Sequence, residues 1–125
     1  MFGRDRKRSS DTPSILLVDD DKGQLDVFAT WMTAIRPNAR IRTADSVQEA
    51  FTLIDSHKFS LIISDYSIPY AGAGLDIFKA AIQSGLPQSG FIMLSGTTDN
   101  LPKEIRLVSK GDLVALETAI DQALT

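Results

Sequence analysis

Short apolar runs alternate with helix-like stretches along most of this 125-residue chain. Five runs have the length and composition of a β-strand, the second of them only weakly: 15–18, 39–43, 61–63, 91–94 and 105–108. Four stretches repeat apolar residues every three or four positions, as one face of a helix does: 25–35, 47–54, 75–82 and 113–123. Strands that are apolar throughout are typical of a sheet buried on both faces, and helices between them are typical of parallel crossovers. The sequence therefore predicts an α/β domain with a doubly wound, five-stranded parallel sheet.

The sequence marks the start of one helix and limits the length of another. Ser46 and Glu49 stand three residues apart at the start of the second helical stretch and match a capping box. Between Ser95 and Lys110 lie only 14 residues, 96–109, which include the fifth strand. Too few residues remain there for a full crossover helix. We therefore predict that the fourth helix, between the fourth and fifth strands, is truncated or missing.

Composition limits the class of function. The net charge of −3 at pH 7 gives no overall attraction to nucleic acid or to an anionic membrane. There is no cysteine, which excludes disulfides and thiolate zinc sites. No apolar run approaches the roughly 20 residues that span a bilayer, and no signal peptide is recognisable at the start. We expect one cytoplasmic domain, residues 14–125, preceded by a flexible basic tail, residues 1–13.

Polar side chains follow four of the predicted strands where each strand ends. They are Asp19, Asp20 and Asp21 after the first strand, Asp65 after the third, Ser95 after the fourth and Lys110 after the fifth. Functional groups in such sheets collect beyond the carboxyl ends of the strands. A helix cap would account for one of the three consecutive aspartates. The other carboxylates would repel one another unless a cation neutralised them, and carboxylate oxygens suit Mg²⁺. The sequence therefore predicts a magnesium site at this edge.

The residue types at this edge suggest phosphoryl chemistry. With a metal holding an incoming phosphoryl group, the Asp65 carboxylate can attack phosphorus in line and form an acyl phosphate. Lys110 can neutralise phosphoryl oxygens that the metal does not reach, and the Ser95 hydroxyl can donate a hydrogen bond to another. We therefore predict that Asp65 is a phosphoacceptor assisted by Lys110 and Ser95.

Four motifs resemble the receiver domains of bacterial two-component signalling systems: Val18-Asp19-Asp20-Asp21, Ile63-Ser64-Asp65 with Pro69, Leu94-Ser95-Gly96 and Val108-Ser109-Lys110. The resemblance covers residues 14–125. It implies the flavodoxin-like receiver fold, with Mg²⁺ held by Asp19, Asp20 and Asp65. It also implies that Ser95 is the switch hydroxyl and that the backbone carbonyl of Ser67 is a further metal ligand.

The resemblance implies a role in signalling rather than in metabolism. Receiver domains take a phosphoryl group from a sensor histidine kinase or a histidine phosphotransfer protein, and they catalyse their own phosphorylation and dephosphorylation. They are not metabolic enzymes. The chain carries no recognisable effector domain, which predicts a single-domain response regulator whose output goes through an unidentified protein partner. Whether the chain forms a homodimer is left open by the resemblance.

Several positions depart from the family pattern. Gly111 follows the lysine where proline is usual, and because a cis bond to a non-proline residue costs about 3 kcal/mol, we expect a trans peptide. Leu107 replaces the aromatic residue that usually couples to the switch hydroxyl. The segment from Tyr70 to Gly74 is long and rich in glycine, so we expect a mobile loop over the site. These departures predict that the site is phosphorylated in the ordinary way, but that the phosphorylated state is signalled through an altered surface.

Two other functions stay open at this point. A phosphatase or phosphotransferase of another α/β family also uses an aspartate nucleophile with Mg²⁺, but Ser67 stands where its second acid is expected. A degenerate receiver would never take phosphate and would act as a constitutive interaction module, which Gly111 and Leu107 favour. The survival of all five key side chains argues against it: Asp19, Asp20, Asp65, Ser95 and Lys110.

Overall fold

A computed structural model describes residues 12–68, 70, 72–96 and 101–125. The strands are β1 (Ser14–Val18), β2 (Arg40–Ala44), β3 (Leu61–Asp65), β4 (Phe91–Ser95) and β5 (Arg106–Ser109). The α-helices are α1 (Lys22–Ile35), α2 (Val47–Ser56), α3 (Ala73–Gln83) and α4 (Leu113–Leu124), and a short 3-10 helix, Gln88–Gly90, precedes β4. Residues 1–11 of the predicted basic tail lie outside the described residues, so the tail stays a prediction.

The five strands form one parallel sheet in the order β2-β1-β3-β4-β5. The central strand β3 ends at Asp65, which lies opposite Leu94 of β4. At the same edge, Val18 of β1 lies opposite Ser64, and Ser95 of β4 lies opposite Ser109 of β5. The predicted five-stranded, doubly wound sheet is confirmed, with strand ends that differ from the predicted ones by a few residues at most.

Successive side chains of a strand point to opposite faces of the sheet, so these apolar strands make both faces apolar. Helices cover both faces and bury them. On the first face, here called the α2–α3 face, the two helices pack on a buried cluster that includes Leu16, Val18, Ile62, Phe91 and Met93. On the second, the α1–α4 face, the helices pack on Ile15, Leu17, Leu61, Ile63 and Ile92. Burying an aliphatic or aromatic side chain of this size contributes about 1.5–3 kcal/mol, so these two clusters hold the sheet in place.

Side chains cap three of the helices. The Asp21 carboxylate accepts a hydrogen bond from the Gln24 amide at 3.1 Å, at the start of α1. At the start of α2 the Ser46 hydroxyl accepts from the Glu49 amide at 3.1 Å, as the sequence predicts. The Glu49 carboxylate accepts from the Asp45 amide at 2.8 Å, one residue before the position in an ideal capping box. Asp112 caps α4 in the same way.

The connection between β4 and β5 holds no helix in its described part, which comprises Gly96 and residues 101–105. It forms a turn before β5, and Leu101 and Ile105 pack on the α2–α3 face. The described residues therefore contain four α-helices, and the prediction that the fourth crossover helix is truncated or missing is confirmed. Among these residues, no helix is both long enough and apolar enough to cross a bilayer.

Candidate functional site

The three consecutive aspartates have different roles. Asp19 extends the pairing of β1 with β2, because its amide donates to the Ala44 carbonyl at 3.1 Å. Its carboxylate accepts a hydrogen bond from the Asp21 amide at 3.0 Å. Asp21 caps α1, while Asp20 between them is exposed. One aspartate therefore caps the helix, as the sequence predicts, and the other two stay candidates for the metal site.

Asp19 and Asp20 meet Asp65 at the carboxyl edge of the sheet. Each of the three offers a carboxylate oxygen, and these atoms lie within 4.8 Å of one another. Oxygen ligands about 2.1 Å from Mg²⁺ lie at most about 4.2 Å apart, so small side-chain adjustments would bring these three oxygens around one ion. Because carboxylate oxygens are also the ligands that Mg²⁺ prefers, the donor set fits this metal.

The surroundings of Asp19 disfavour the ionised form of its carboxyl group. Burial raises the pKa of the Asp19 carboxyl above its ordinary value of 3.8, and the hydrogen bond from the Asp21 amide opposes this rise. The negative charge of Asp65 then adds to the increase. Since charge repulsion and burial both disfavour the ionised carboxylates, a bound cation would stabilise this part of the fold.

Lys110 supplies the positive charge of the site. Its ammonium lies 2.7 Å from one carboxylate oxygen of Asp65, whose side chain is only 6% exposed, whereas the Lys110 side chain is 49% exposed. Burial alone would lower the pKa of Lys110, but the hydrogen bond and negative charge of Asp65, together with Asp19 and Asp20, outweigh it. The net result is a pKa above the usual 10.5, so Lys110 stays protonated at neutral pH.

Ser95 is the last residue of β4 and is 4% exposed. Its carbonyl accepts a hydrogen bond from the Lys110 amide at 3.1 Å, which carries the β4–β5 pairing up to the lysine. Ser67 is exposed and lies two residues beyond Asp65. The structure thus brings Asp19, Asp20, Asp65 and Lys110 together, with Ser95 on the neighbouring strand, while the metal-binding role of the Ser67 carbonyl stays a prediction.

Gly74 is a site residue whose role the sequence analysis missed. We placed it in a mobile loop, whereas it lies buried in the first turn of α3. A Cβ atom on Gly74 would stand 2.5 Å from the Asp65 carbonyl oxygen and 2.7 Å from the Met93 sulfur. The Gly74 amide donates to the Tyr66 carbonyl at 2.9 Å. The missing side chain therefore allows α3 to dock on the backbone of the predicted phosphoacceptor.

The turn after Lys110 depends on Gly111. Its φ of +88° lies in the left-handed region, which glycine adopts without strain. A proline ring fixes φ near about −65°, so proline does not fit this backbone. The Asp112 amide donates to the Ser109 carbonyl at 3.2 Å and closes the turn. The chain therefore connects β5 to α4 through a backbone conformation that proline cannot adopt.

The family model described as the response regulator receiver domain matches residues 15–116. Two curated relatives are the two-component response regulators ORR13 and ORR12 of rice, Oryza sativa subsp. japonica. Each is 31% identical to this chain over 97 residues, which is 76% of this chain and 76% of the relative. These relatives are plant proteins, so the bacterial origin that the motifs suggested stays a prediction.

Solved structures have the same fold. A CheY-like receiver domain from Methylobacillus flagellatus is 17% identical, with a TM-score of 0.74 over 90% of this chain and 98% of that one. The response regulator TrrA from Thermotoga maritima, solved in complex with Mg²⁺ and BeF, is 18% identical, with a TM-score of 0.74 over 90% and 99% of the two chains. The chain belongs to the response regulator receiver domain family of two-component systems.

Proposed function

We propose that this chain accepts a phosphoryl group on Asp65 in a Mg²⁺-dependent reaction and then signals by binding another protein. One observation carries the proposal: a carboxylate oxygen of Asp65 lies within 4.8 Å of carboxylate oxygens of Asp19 and Asp20, and the Lys110 ammonium lies 2.7 Å from an Asp65 carboxylate oxygen. This arrangement supplies a nucleophile, a cation site and a positive charge at one edge of the sheet. TrrA, which has the same fold, was solved in complex with Mg²⁺ and BeF, and this supports a Mg²⁺-dependent site in this chain.

The charges of the site explain why the reaction needs a metal. Mg²⁺ bound by Asp19, Asp20 and Asp65 would supply the positive charge that a phosphoryl group needs to approach these carboxylates, and the Ser67 carbonyl is a candidate further ligand. In the transfer, a carboxylate oxygen of Asp65 forms the new bond to phosphorus, and the bond between phosphorus and the donor breaks, leaving its electron pair on the donor.

Lys110 and Ser95 act on the transferred group. Lys110 shifts from the carboxylate to a phosphoryl oxygen, because the ionised carboxylate that held it becomes a neutral acyl group. The Ser95 hydroxyl donates a hydrogen bond to another phosphoryl oxygen. Water later attacks phosphorus, which releases inorganic phosphate and restores the Asp65 carboxylate. The cycle is a switch, and no metabolite is turned over.

The phosphodonor is a sensor histidine kinase or a histidine phosphotransfer protein, met in the cytoplasm. Exposed apolar side chains near the site support docking of such a protein. Val27 on α1 is 68% exposed, and Leu113 and Val114 at the start of α4 are 51% and 80% exposed. Both helices begin at the carboxyl edge of the sheet, where Asp65 lies, so a protein covering these side chains can present a phosphorylated histidine to Asp65.

Incubation with Mg²⁺ and a small acyl-phosphate donor, followed by measurement of the intact mass, tests the proposal. We expect one added phosphoryl group on the native chain, and none without Mg²⁺ or in Asp65→Asn. Asp21→Asn is the matched control, because Asp21 belongs to the aspartate triplet but caps α1, and it should still be phosphorylated. Absence of the adduct from the native chain under every condition would refute phosphoryl acceptance and favour a constitutive interaction module.

A further inference from the structure

Tyr66 directly follows β3, on the segment next to Ser95 of β4. Its amide donates to the Leu94 carbonyl at 2.9 Å, in the last hydrogen bond of the β3–β4 pairing. Since Asp65 pairs with Leu94, the next pair in the same register is Tyr66 with Ser95. Neighbouring strands lie about 4.8 Å apart, so these two residues are cross-strand neighbours at the carboxyl edge.

Tyr66 and Ser95 share one face of the sheet. Ser64 and Met93 form the pair two residues earlier, and Met93 belongs to the cluster on the α2–α3 face. Side chains two residues apart on a strand point to the same face, so Tyr66 and Ser95 also belong to the α2–α3 face. The Tyr66 side chain packs against this cluster and is half-buried, while Ser95 is buried.

Tyr66 also contacts the beginning of α3. Its hydroxyl lies 3.8 Å from the point where a Cβ atom would stand on Gly72, the left-handed N-cap residue of α3. Its carbonyl accepts the hydrogen bond from the Gly74 amide at 2.9 Å. The side chain and the backbone of Tyr66 therefore both reach the first turn of α3.

On the other side of β4, Ser95 pairs with Ser109 of β5, whose short side chain is exposed. Leu107 of β5 packs on the same face, but it pairs with Met93, two residues before Ser95. Its side chain is shorter than that of Tyr66 and has no polar end. The described part of the β4–β5 connection also lacks a helix that could carry a displacement from Ser95 to the surface. The larger, partly buried side chain next to Ser95 therefore lies on the β3 side.

We propose that Tyr66 couples Ser95 to the first turn of α3. The inference rests on the proposed function, because it requires a phosphoryl group on Asp65. When the Ser95 hydroxyl turns toward that group, it changes the space beside the Tyr66 ring, and in a close-packed interior the ring must follow. Because the Tyr66 carbonyl holds the Gly74 amide and the Tyr66 hydroxyl lies near Gly72, the start of α3 moves with Tyr66. Tyr66 is thus a positioning residue that reports the state of the site.

The surface that changes is the one around Tyr70 and Asp76. Tyr70 is 57% exposed, and its hydroxyl donates to an Asp76 carboxylate oxygen at 3.4 Å. The Tyr70 carbonyl accepts a hydrogen bond from the Ala73 amide at 3.2 Å, so this surface is tied to the first turn of α3. A protein partner that distinguishes the two states would therefore contact an exposed aromatic ring beside an acidic residue.

Fluorine NMR of protein labelled with 3-fluorotyrosine tests the coupling. The chain has two tyrosines, Tyr66 and Tyr70, so Tyr66→Phe and Tyr70→Phe assign the two protein resonances. Mg²⁺ and beryllofluoride, a mimic of the phosphoryl group, are then added, and bound fluoride gives separate resonances in the same spectrum. We expect the Tyr66 resonance to shift in the native protein. Ser95→Ala should bind beryllofluoride more weakly, so it is studied at a concentration at which its bound-fluoride resonances no longer grow. There the Tyr66 shift should be lost, and Ser95→Thr should restore it.

The possible outcomes separate the two proposals. Absence of bound fluoride from the native protein would refute the proposed function, whereas bound fluoride with an unmoved Tyr66 resonance would refute the coupling alone. Hydrogen exchange at the Gly74 and Leu75 amides gives a second readout that does not depend on any Ser95 variant. Beryllofluoride should change their exchange rates in the native protein but not in Tyr66→Leu, and an equal change in both proteins would overturn the coupling.

Discussion

Gly74→Ala should destabilise the domain and impair the site at once. The new Cβ atom would lie 2.5 Å from the Asp65 carbonyl oxygen, about 0.9 Å inside the 3.4 Å at which ordinary contact begins. It would also meet the Met93 sulfur at 2.7 Å and the Tyr66 Cα at 3.0 Å. Two of these three atoms belong to the backbone and cannot rotate away. The start of α3 must therefore move off β3 and β4.

The cost follows from this clash. Overpacking a core costs about 1–3 kcal/mol, and contact with backbone atoms places Gly74→Ala near the upper end. For a domain of this size, about 3 kcal/mol lowers Tm by roughly 10 °C. Because the Asp65 backbone is displaced, the rate of phosphorylation by a small acyl-phosphate donor should fall as well.

Thermal unfolding followed by circular dichroism checks the first effect, and intact mass against time checks the second. Gly23→Ala is the matched control, because a Cβ on Gly23 would meet only the Asp21 carboxylate, at 3.4 Å. Glycine within a helix costs about 0.5–1 kcal/mol relative to alanine, so Gly23→Ala should leave Tm unchanged or slightly raised. A Gly74→Ala protein with a native Tm and a native phosphorylation rate would refute this account of α3 docking.

Three further predictions concern the charged residues, each checked by thermal unfolding with and without Mg²⁺. Asp21→Ala removes the α1 cap and should cost about 1 kcal/mol while the stabilisation by Mg²⁺ persists; loss of that stabilisation would contradict its assignment as a cap. A carboxyl whose pKa is raised by folding stabilises the fold below its unfolded pKa, and this contribution is lost as the pH rises through its folded pKa. The ionised form of Asp19 therefore opposes folding, so above its folded pKa Asp19→Asn should raise the Tm of the metal-free protein and abolish the Mg²⁺ effect. A lower metal-free Tm would contradict this. Lys110→Met leaves the Asp65 carboxylate buried without its partner. This should lower the free energy of unfolding by about 1–2 kcal/mol, less than for a fully buried pair because Lys110 is half exposed. An unchanged Tm would show that this ion pair does not stabilise the fold.

Features that depend on neighbouring residues were predictable from the sequence. The strands follow from short apolar runs, and the cap at Ser46 follows from the Glu three residues later. One member of the aspartate triplet caps a helix, as predicted, because a helix N-terminus needs a side-chain acceptor. The other two carboxylates lie next to Asp65. Sequence order at the strand ends was enough to assemble most of the site, since parallel strands bring their carboxyl ends to one edge.

Close contacts between particular helices and strands were not predictable from the sequence. The need for glycine at position 74 arises from the approach of α3 to β3 and β4, which no local pattern records. Two contacts that fix α4 also join distant residues: the Arg36 guanidinium pairs with Asp121, and Arg106 donates to the Ala119 carbonyl at 3.0 Å. A glycine directly before a predicted helix and shortly after a strand-end aspartate was the available indication of close packing, but it equally fits a loop.

Locating the acyl phosphate along the chain tests the central claim most directly. The native protein is phosphorylated with Mg²⁺ and a small acyl-phosphate donor, the acyl phosphate is reduced with borohydride, and the peptides are mapped by mass spectrometry. The account predicts that reduction converts the side chain of Asp65 alone. Conversion at Asp19 or Asp20 in its place, or at no aspartate while the protein still binds Mg²⁺, would contradict the assignment of Asp65 as the phosphoacceptor.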